Sequence, residues 1–187
     1  MHSSIARCHI KEKGGTLAEL LAVIGIVQTC VLLLLPSMSH LVYTQRVSGL
    51  TQALVSSLHL ARDEAIKRNI RVVLCKSSDG NSCANLGGWE QGWIIFSDGN
   101  NNGVRDASDQ VLLQRGGVQG VRLTGNTPVR NYVSYTPLGT AKLPSGAFQS
   151  GTFTLCVPDS RGTKERKIIL SPTGRPRSLE VASGECG

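Results

Sequence analysis

The pattern of apolar and polar positions divides the chain into three stretches. From Leu17 to Leu35 run 19 residues whose only polar members are Glu19, Gln28 and Thr29. As a helix that run would measure roughly 28 Å at about 1.5 Å per residue, enough for the hydrocarbon core of a bilayer. Beyond Pro36 the period changes. Val47, Leu50, Leu54, Leu58, Ala61 and Ala65 recur three or four residues apart, with Arg62, Asp63, Lys67 and Arg68 off the stripe, which predicts an amphipathic helix with one face to bury. After residue 69, short runs bounded by Gly, Pro, Asn or Asp take over. Arg71–Lys76, Trp93–Ser97, Gln110–Gln114, Val121–Thr124, Tyr132–Tyr135, Thr152–Val157, Lys167–Ser171 and Ser178–Ala182 read as strands. A long helix followed by consecutive strands predicts an α+β fold, the helix packed on antiparallel sheets.

The organisation that follows is a leader at 1–14, a membrane-spanning segment at 15–36, an amphipathic continuation at 37–69 and a β-rich domain with a basic tail at 70–187. The leader holds Arg7, Lys11 and Lys13 but lacks the apolar core and small-residue cleavage site of an ordinary secretory signal. Its apolar part instead comes after it. Basic residues before the run would hold the N-terminus in the cytoplasm and send the rest outward. About 150 residues then remain, enough for one modest domain with its own core. Glu19 stands out, because a carboxylate inside an apolar helix costs roughly 2.5 kcal/mol or more unless something neutralises it.

The stretch Lys13-Gly14-Gly15-Thr16-Leu17-Ala18-Glu19, with Pro36 further on, resembles the class III signal of type IV pilins and pseudopilins. The resemblance implies that a prepilin peptidase cuts between Gly14 and Gly15, and that Glu19 then pairs with the N-terminal amine of a neighbouring subunit in the filament. It places Pro36 where pilins commonly kink. The family usually begins its mature chain with phenylalanine, where this chain has Gly15; prepilin methylation belongs to the same expectation. The helix end Leu60-Ala61-Arg62-Asp63-Glu64-Ala65-Ile66-Lys67-Arg68-Asn69, the strand into Cys75, and Gly92-Trp93-Ile94-Ile95-Phe96 are similar to the FimT/GspH group. That group contains minor pilins of type IV pili and pseudopilins of type II secretion, and the paired cysteines and tail look more like its FimT side. The implied location is the inner membrane with a periplasmic domain, then the pilus outside the cell. The implied partners are other pilins, the prepilin peptidase and the inner membrane before assembly.

Of six cysteines, Cys8 belongs to the leader and Cys30 to the apolar run, leaving Cys75, Cys83, Cys156 and Cys186 outside. Four cysteines in an oxidising compartment read as two disulfides with three possible pairings. Cys75–Cys83 with Cys156–Cys186 is favoured because Asp79 and Gly80 supply a turn between the first two. The second bridge would staple the C-terminus. A zinc site is the rival, but these cysteines have no histidine nearby.

Charge locates the candidate chemistry. The chain has 20 basic and 13 acidic residues; without the leader's three basic residues and Glu12, 17 and 12 remain, a surplus of five. Between Arg161 and Arg177 lie Arg161, Lys164, Arg166, Lys167, Arg175 and Arg177 against Glu165, which is also a surplus of five. A concentrated basic patch on a neutral body is the footprint of a polyanion-binding protein, and arginine can fork two donors onto phosphate oxygens. Ser171-Pro172-Thr173-Gly174-Arg175-Pro176-Arg177-Ser178 reads as a turn, and an extended backbone would point Arg175 and Arg177 the same way. Gly174-Arg175-Pro176-Arg177 is similar to the GRxR element that FimT-type minor pilins use to bind DNA in natural transformation. The resemblance therefore implies double-stranded DNA as a partner, held by Arg175 and Arg177 with Arg161, Lys164, Arg166 and Lys167 widening the field. Phosphate contacts alone would be salt-dependent and sequence-tolerant. The alternative is a minor pilin or GspH-like type II secretion pseudopilin that acts in filament assembly without touching DNA.

A second constellation, Asp98 to Asp109, places oxygen ligands at Asp98, Asn100, Asn102, Asp106 and Asp109 with Gly103 at the sixth position, as in an EF-hand loop. Asp109 replaces the usual bidentate glutamate, and strands flank the loop, so an Asn- and Gly-rich hairpin turn competes with calcium. No cofactor is otherwise expected. Catalysis finds little footing, since the chain after the leader holds only His40 and His59, both on the long helix, and no Walker loop or dinucleotide fingerprint. Trp89, Trp93, Tyr132 and Tyr135 could stack on bases, although aromatics at strand positions more often fill a core.

Overall fold

The computed structural model describes residues 16–158 and 165–181, with the backbone alone at 32–41 and 43. Gly14, Gly15, Arg161, Lys164 and Cys186 lie outside the described residues. The chain divides into two compact units, Met1–Leu41 and Val42–Gly187. One helix, α1 (Leu17–Arg68), enters both, and Pro36 lies within it rather than ending it.

In the N-terminal unit, Thr16 opens α1. Its carbonyl accepts from the amides of Glu19 (3.0 Å) and Leu20 (3.2 Å), and its hydroxyl accepts from the Glu19 amide at 3.4 Å. Thr16-Leu17-Ala18-Glu19 thus has the spacing of a capping box, with an acid in the first turn where the helix dipole favours it. Leu17, Leu20, Leu21, Ile26 and Val27 are exposed. Among the described residues no helix is long and apolar enough to cross a membrane; the expected 15–36 segment enters that set only in part, its side chains being described as far as Val31.

In the second unit the predicted stripe is the buried face of α1: Val47, Leu50, Leu54, Leu58, Ala61 and Ala65 all lie in the core. Fully burying a leucine such as Leu54 or Leu58 contributes about 1.5–3 kcal/mol. The helix stops at Asn69, whose φ of 53° is the left-handed conformation typical of the residue after a helix. Eight strands follow: β1 (Arg71–Lys76), β2 (Gly92–Asp98), β3 (Val111–Gly116), β4 (Arg122–Gly125), β5 (Tyr132–Tyr135), β6 (Gly151–Cys156), β7 (Glu165–Leu170) and β8 (Pro176–Val181). They form two antiparallel sheets, ordered β3-β2-β1-β5 and β4-β6-β7-β8. Both sheets fill one core with α1, through Leu74, Ile95 and Tyr135 of the first and Leu123, Phe153 and Ile168 of the second.

Val73, Cys75, Ile94 and Phe96 form a second cluster on the other face of the first sheet. That explains why Val72-Val73-Leu74 and Ile94-Ile95-Phe96 are continuously apolar rather than alternating. Cys75 and Cys83 are disulfide-bonded, so the local bridge of the favoured pairing is present. Asp79 shapes the loop between them: its carboxylate accepts from the amides of Asn81 and Ser82 at 2.9 Å and from the hydroxyls of Ser77 and Ser82. These bonds, led by that from the Ser82 hydroxyl, hold the Asp79 carboxyl well below its ordinary range. Buried Lys76 braces the same loop, donating to the carbonyls of Gly87 (2.8 Å) and Asn85 (3.2 Å).

Candidate nucleic-acid interface

Two of the predicted cations meet at the tip of the β7–β8 hairpin. Register pairs Leu170 with Pro176 and Ile169 with Arg177, so the connection is Ser171 to Arg175, and Pro176, expected in the turn, instead opens a strand. A proline is tolerated there because β8 is an edge strand and Pro176 its first residue. The tip is held by its own atoms. The Gly174 amide donates to the Ser171 carbonyl (2.9 Å), the Ser171 amide donates to the Arg175 carbonyl (3.1 Å), and the Arg175 amide donates to the Ser171 hydroxyl (3.1 Å).

Gly174 fastens this tip to the first sheet's side of the core. Its φ is +79°, it is buried, and a Cβ there would lie 2.6 Å from the Gly139 carbonyl oxygen and 2.9 Å from the Tyr135 ring. Only glycine satisfies both the conformation and the space. The Gly139 oxygen also accepts from Arg62 Nε of α1 at 2.8 Å. Tyr135 is fully buried, and burial pushes its phenol above the ordinary value.

From this anchored base Arg175 and Arg177 extend into solvent as exposed side chains. Among the described residues neither guanidinium has an ion-pair or hydrogen-bond partner. Both border one groove of about 740 Å³ that runs beside Asn126 and Thr152. Lys167 lies on the same face, two residues from Ile169, in an adjoining hollow. Arg166 does not join them. Strand alternation gives it the opposite face, with Ile168 and Leu170, and the register places it across from Glu180, with which it forms an ion pair. Counting charge as far as Arg177 missed Glu180, three residues on. Arg161 and Lys164 fall outside the described residues.

The remaining sequence candidates are placed elsewhere. Cys156 is disulfide-bonded, and its expected partner Cys186 lies outside the described residues; Cys30 is free and exposed. In the Asp98–Asp109 loop Asp98 and Asp109 accept from backbone amides, and Asp106 accepts from neighbouring side chains. Asp98 accepts from the amides of Asn102 (3.1 Å) and Gly103 (2.9 Å), Asp109 accepts from the Asp106 amide (2.8 Å), and the side-chain amides of Asn100 and Asn102 both donate to Asp106 at 2.8 Å. Those two bonds lower the Asp106 carboxyl below its ordinary value. Asn101 and Gly103 have the positive φ of a tight turn, and among the described residues no three acidic, histidine or cysteine side chains are grouped as a metal site would need. Trp89, Trp93 and Tyr135 are fully buried, and the indole N–H groups donate inward to the Val129 carbonyl and the Ser57 hydroxyl. Tyr132 is half-buried against the second cluster. None of the four borders the groove.

A family model described as type II transport protein GspH matches residues 50–174. Two crystal structures of the type IV minor pilin FimU from Pseudomonas aeruginosa PAO1 are similar in fold. Their TM-scores are 0.56 and 0.54 at 18% and 19% identity, over 77% and 75% of this chain and 97% and 99% of theirs. The minor pseudopilin EpsH of the Vibrio cholerae type 2 secretion system matches with a TM-score of 0.49 and 12% identity, over 72% of this chain and 96% of its own. No curated protein matches. The likeness to FimU is one of fold: a helix packed on two antiparallel sheets in the type IV pilin manner.

Proposed function

The chain belongs to the GspH family and is a pilin-like subunit, and from that premise we propose that it is a minor type IV pilin that binds double-stranded DNA through the Gly174-Arg175-Pro176-Arg177 hairpin for uptake in natural transformation. The observation that carries this reading is the pair of exposed guanidiniums, Arg175 and Arg177, without partners among the described residues, on a hairpin whose turn Gly174 locks to the core. Arg166, by contrast, is paired with Glu180. Two arginines held ready for an external anion lose little conformational freedom when a phosphate arrives. In this reading a prepilin peptidase removes the leader after Gly14, the apolar half of α1 anchors the subunit in the inner membrane, and assembly with other pilins carries the domain outward.

The test is genetic. Cells in which an Arg175→Gln/Arg177→Gln variant replaces the wild type should keep their pili and lose transformation at least about tenfold, the factor that 1.4 kcal/mol of affinity represents. Undiminished transformation would overturn the reading. The second reading, a pseudopilin that serves type II secretion, is favoured by the family's description as type II transport proteins. Loss of secretion or of piliation on deleting the gene, with no specific loss of transformation, would select it.

A further inference from the structure

The groove beside the hairpin continues across the second sheet. Register places Thr124 of β4 opposite Thr154 of β6, Thr154 opposite Lys167 of β7, Thr152 opposite Ile169, and Ile169 opposite Arg177 of β8. All of them take the face turned from the core, since Leu123, Phe153, Leu155, Ile168 and Leu170 fill the other. The two hollows on this face share Asn126, Thr152 and Ile169; one ends at Arg175 and Arg177, the other at Thr124, Thr154 and Lys167. Among the described residues the hydroxyls of Thr124, Thr152 and Thr154 have no hydrogen-bond partner, and Asn126 spends its carbonyl on the Thr152 amide (3.1 Å) while its amide donors stay unspent. Threonine is a common exposed strand residue. Here, however, three hydroxyls and a side-chain amide line up between cations in one continuous depression.

We infer that this face is a track for a phosphodiester backbone, in which Lys167 and Arg177 meet phosphate charge and Thr124, Thr152, Thr154 and Asn126 donate to the oxygens between them. The inference rests on the DNA-binding reading of the hairpin and extends it from a tip to a surface. Spacing suits a repeating anion: strands lie about 4.8 Å apart, same-face residues along a strand roughly 6.7 Å apart, and the diagonal pair Lys167 and Arg177 about 7–8 Å apart. No aromatic side chain borders either hollow. The track therefore lacks the stacking platforms on which single-strand binders depend, and the ligand is duplex DNA, read by its backbone and not its bases.

Hydroxyls and cations differ in how salt affects them, and the test uses that difference. The full chain in neutral detergent is titrated with a short fluorescein-labelled duplex across a salt series, and with the corresponding single strand. Thr152→Val/Thr154→Val should weaken duplex binding by about two- to tenfold per hydroxyl lost without changing the slope of log K against log salt, and Thr152→Ser/Thr154→Ser should retain wild-type binding. Lys167→Gln should reduce the steepness of that slope by about 0.9. If the valine pair binds like wild type while Arg175→Gln/Arg177→Gln does not, the track is wrong and the hairpin reading stands. Tighter binding of the single strand than of the duplex also refutes the track. If the arginine pair itself binds undiminished, the DNA-binding reading falls instead.

Discussion

Gly174→Ala separates the fold's demand at the hairpin from the charge it presents. At φ +79° an alanine adopts a left-handed conformation that costs about 1–2 kcal/mol for an L-residue. Its Cβ would also lie 2.6 Å from the Gly139 carbonyl oxygen, 2.9 Å from Tyr135 Cε1 and 3.2 Å from the Ala141 amide nitrogen. Two of these three are backbone atoms, which cannot rotate away, so the tip or the Thr136–Thr140 turn must move. Overpacking of this kind adds about 1–3 kcal/mol. Gly146 supplies the control, because its φ is +88° and a Cβ there meets nothing within 4 Å.

Gly146→Ala should therefore show the conformational cost alone, lowering Tm by roughly 3–6 °C at about 3 °C per kcal/mol. Gly174→Ala should lower it by roughly 6–15 °C on the same scale. In the same protein, Gly174→Ala should weaken duplex DNA binding although Arg175 and Arg177 are untouched, because an undocked tip no longer pre-positions them. Thermal denaturation followed by circular dichroism and fluorescence anisotropy give the two readouts. Equal Tm losses for the two alanines, with wild-type DNA affinity for Gly174→Ala, would show that the close packing at Gly174 neither adds stability nor positions the arginines.

Three further outcomes follow from the remaining geometry. Neutralising the cross-strand ion pair, as Arg166→Gln/Glu180→Gln, should change stability by no more than about 1 kcal/mol and leave DNA affinity within about twofold of wild type, because its net charge is zero; anisotropy and chemical denaturation check both. Asp79 has its folded-state pKa lowered, so its contribution to stability is present above the unfolded carboxyl value of about 3.9 and is lost as pH falls below it. Asp79→Asn should therefore lower Tm at neutral pH and flatten its decline below about pH 4. Cys75→Ser/Cys83→Ser opens a bridge spanning a sequence separation of 8, and denaturant titration should show a loss of about 2.5 kcal/mol. DNA binding should survive it, since the hairpin belongs to the other sheet.

What the sequence made legible was local. The three-and-four spacing of Val47 to Ala65 named the buried face of α1, Arg71–Lys76 and Tyr132–Tyr135 were read to the residue, and Asp79 and Gly80 between two cysteines pointed to the bridge that forms. What stayed hidden depended on pairing between distant segments. Nothing near Arg166 announces Glu180 as its neighbour; the β7–β8 register does. Thr124 and Thr154 become one surface only because β4 pairs with β6, although the alternation Thr152-Phe153-Thr154 already marked a strand with a hydroxyl face. The Asp98–Asp109 loop shows a different limit. The side-chain oxygens that would ligate calcium are of the kind that also cap a tight turn, and spacing does not tell the two apart; in the folded loop Asp98 and Asp109 accept from backbone amides, and Asp106 accepts from the side-chain amides of Asn100 and Asn102. Likewise a tryptophan beside a strand reads as a stacking surface or as core until Phe153 is found packed edge-on against Trp89, ring centroids 5.3 Å apart.

In the proposed function Arg175 and Arg177 hold DNA phosphates. Its most direct test is the salt dependence of duplex binding by the full chain and by Arg175→Gln/Arg177→Gln. Two phosphate contacts should reduce the steepness of log K against log salt by about 1.8 between wild type and variant, together with a loss of affinity at low salt. The same slope and the same affinity for both proteins would mean that these two arginines do not contact phosphate.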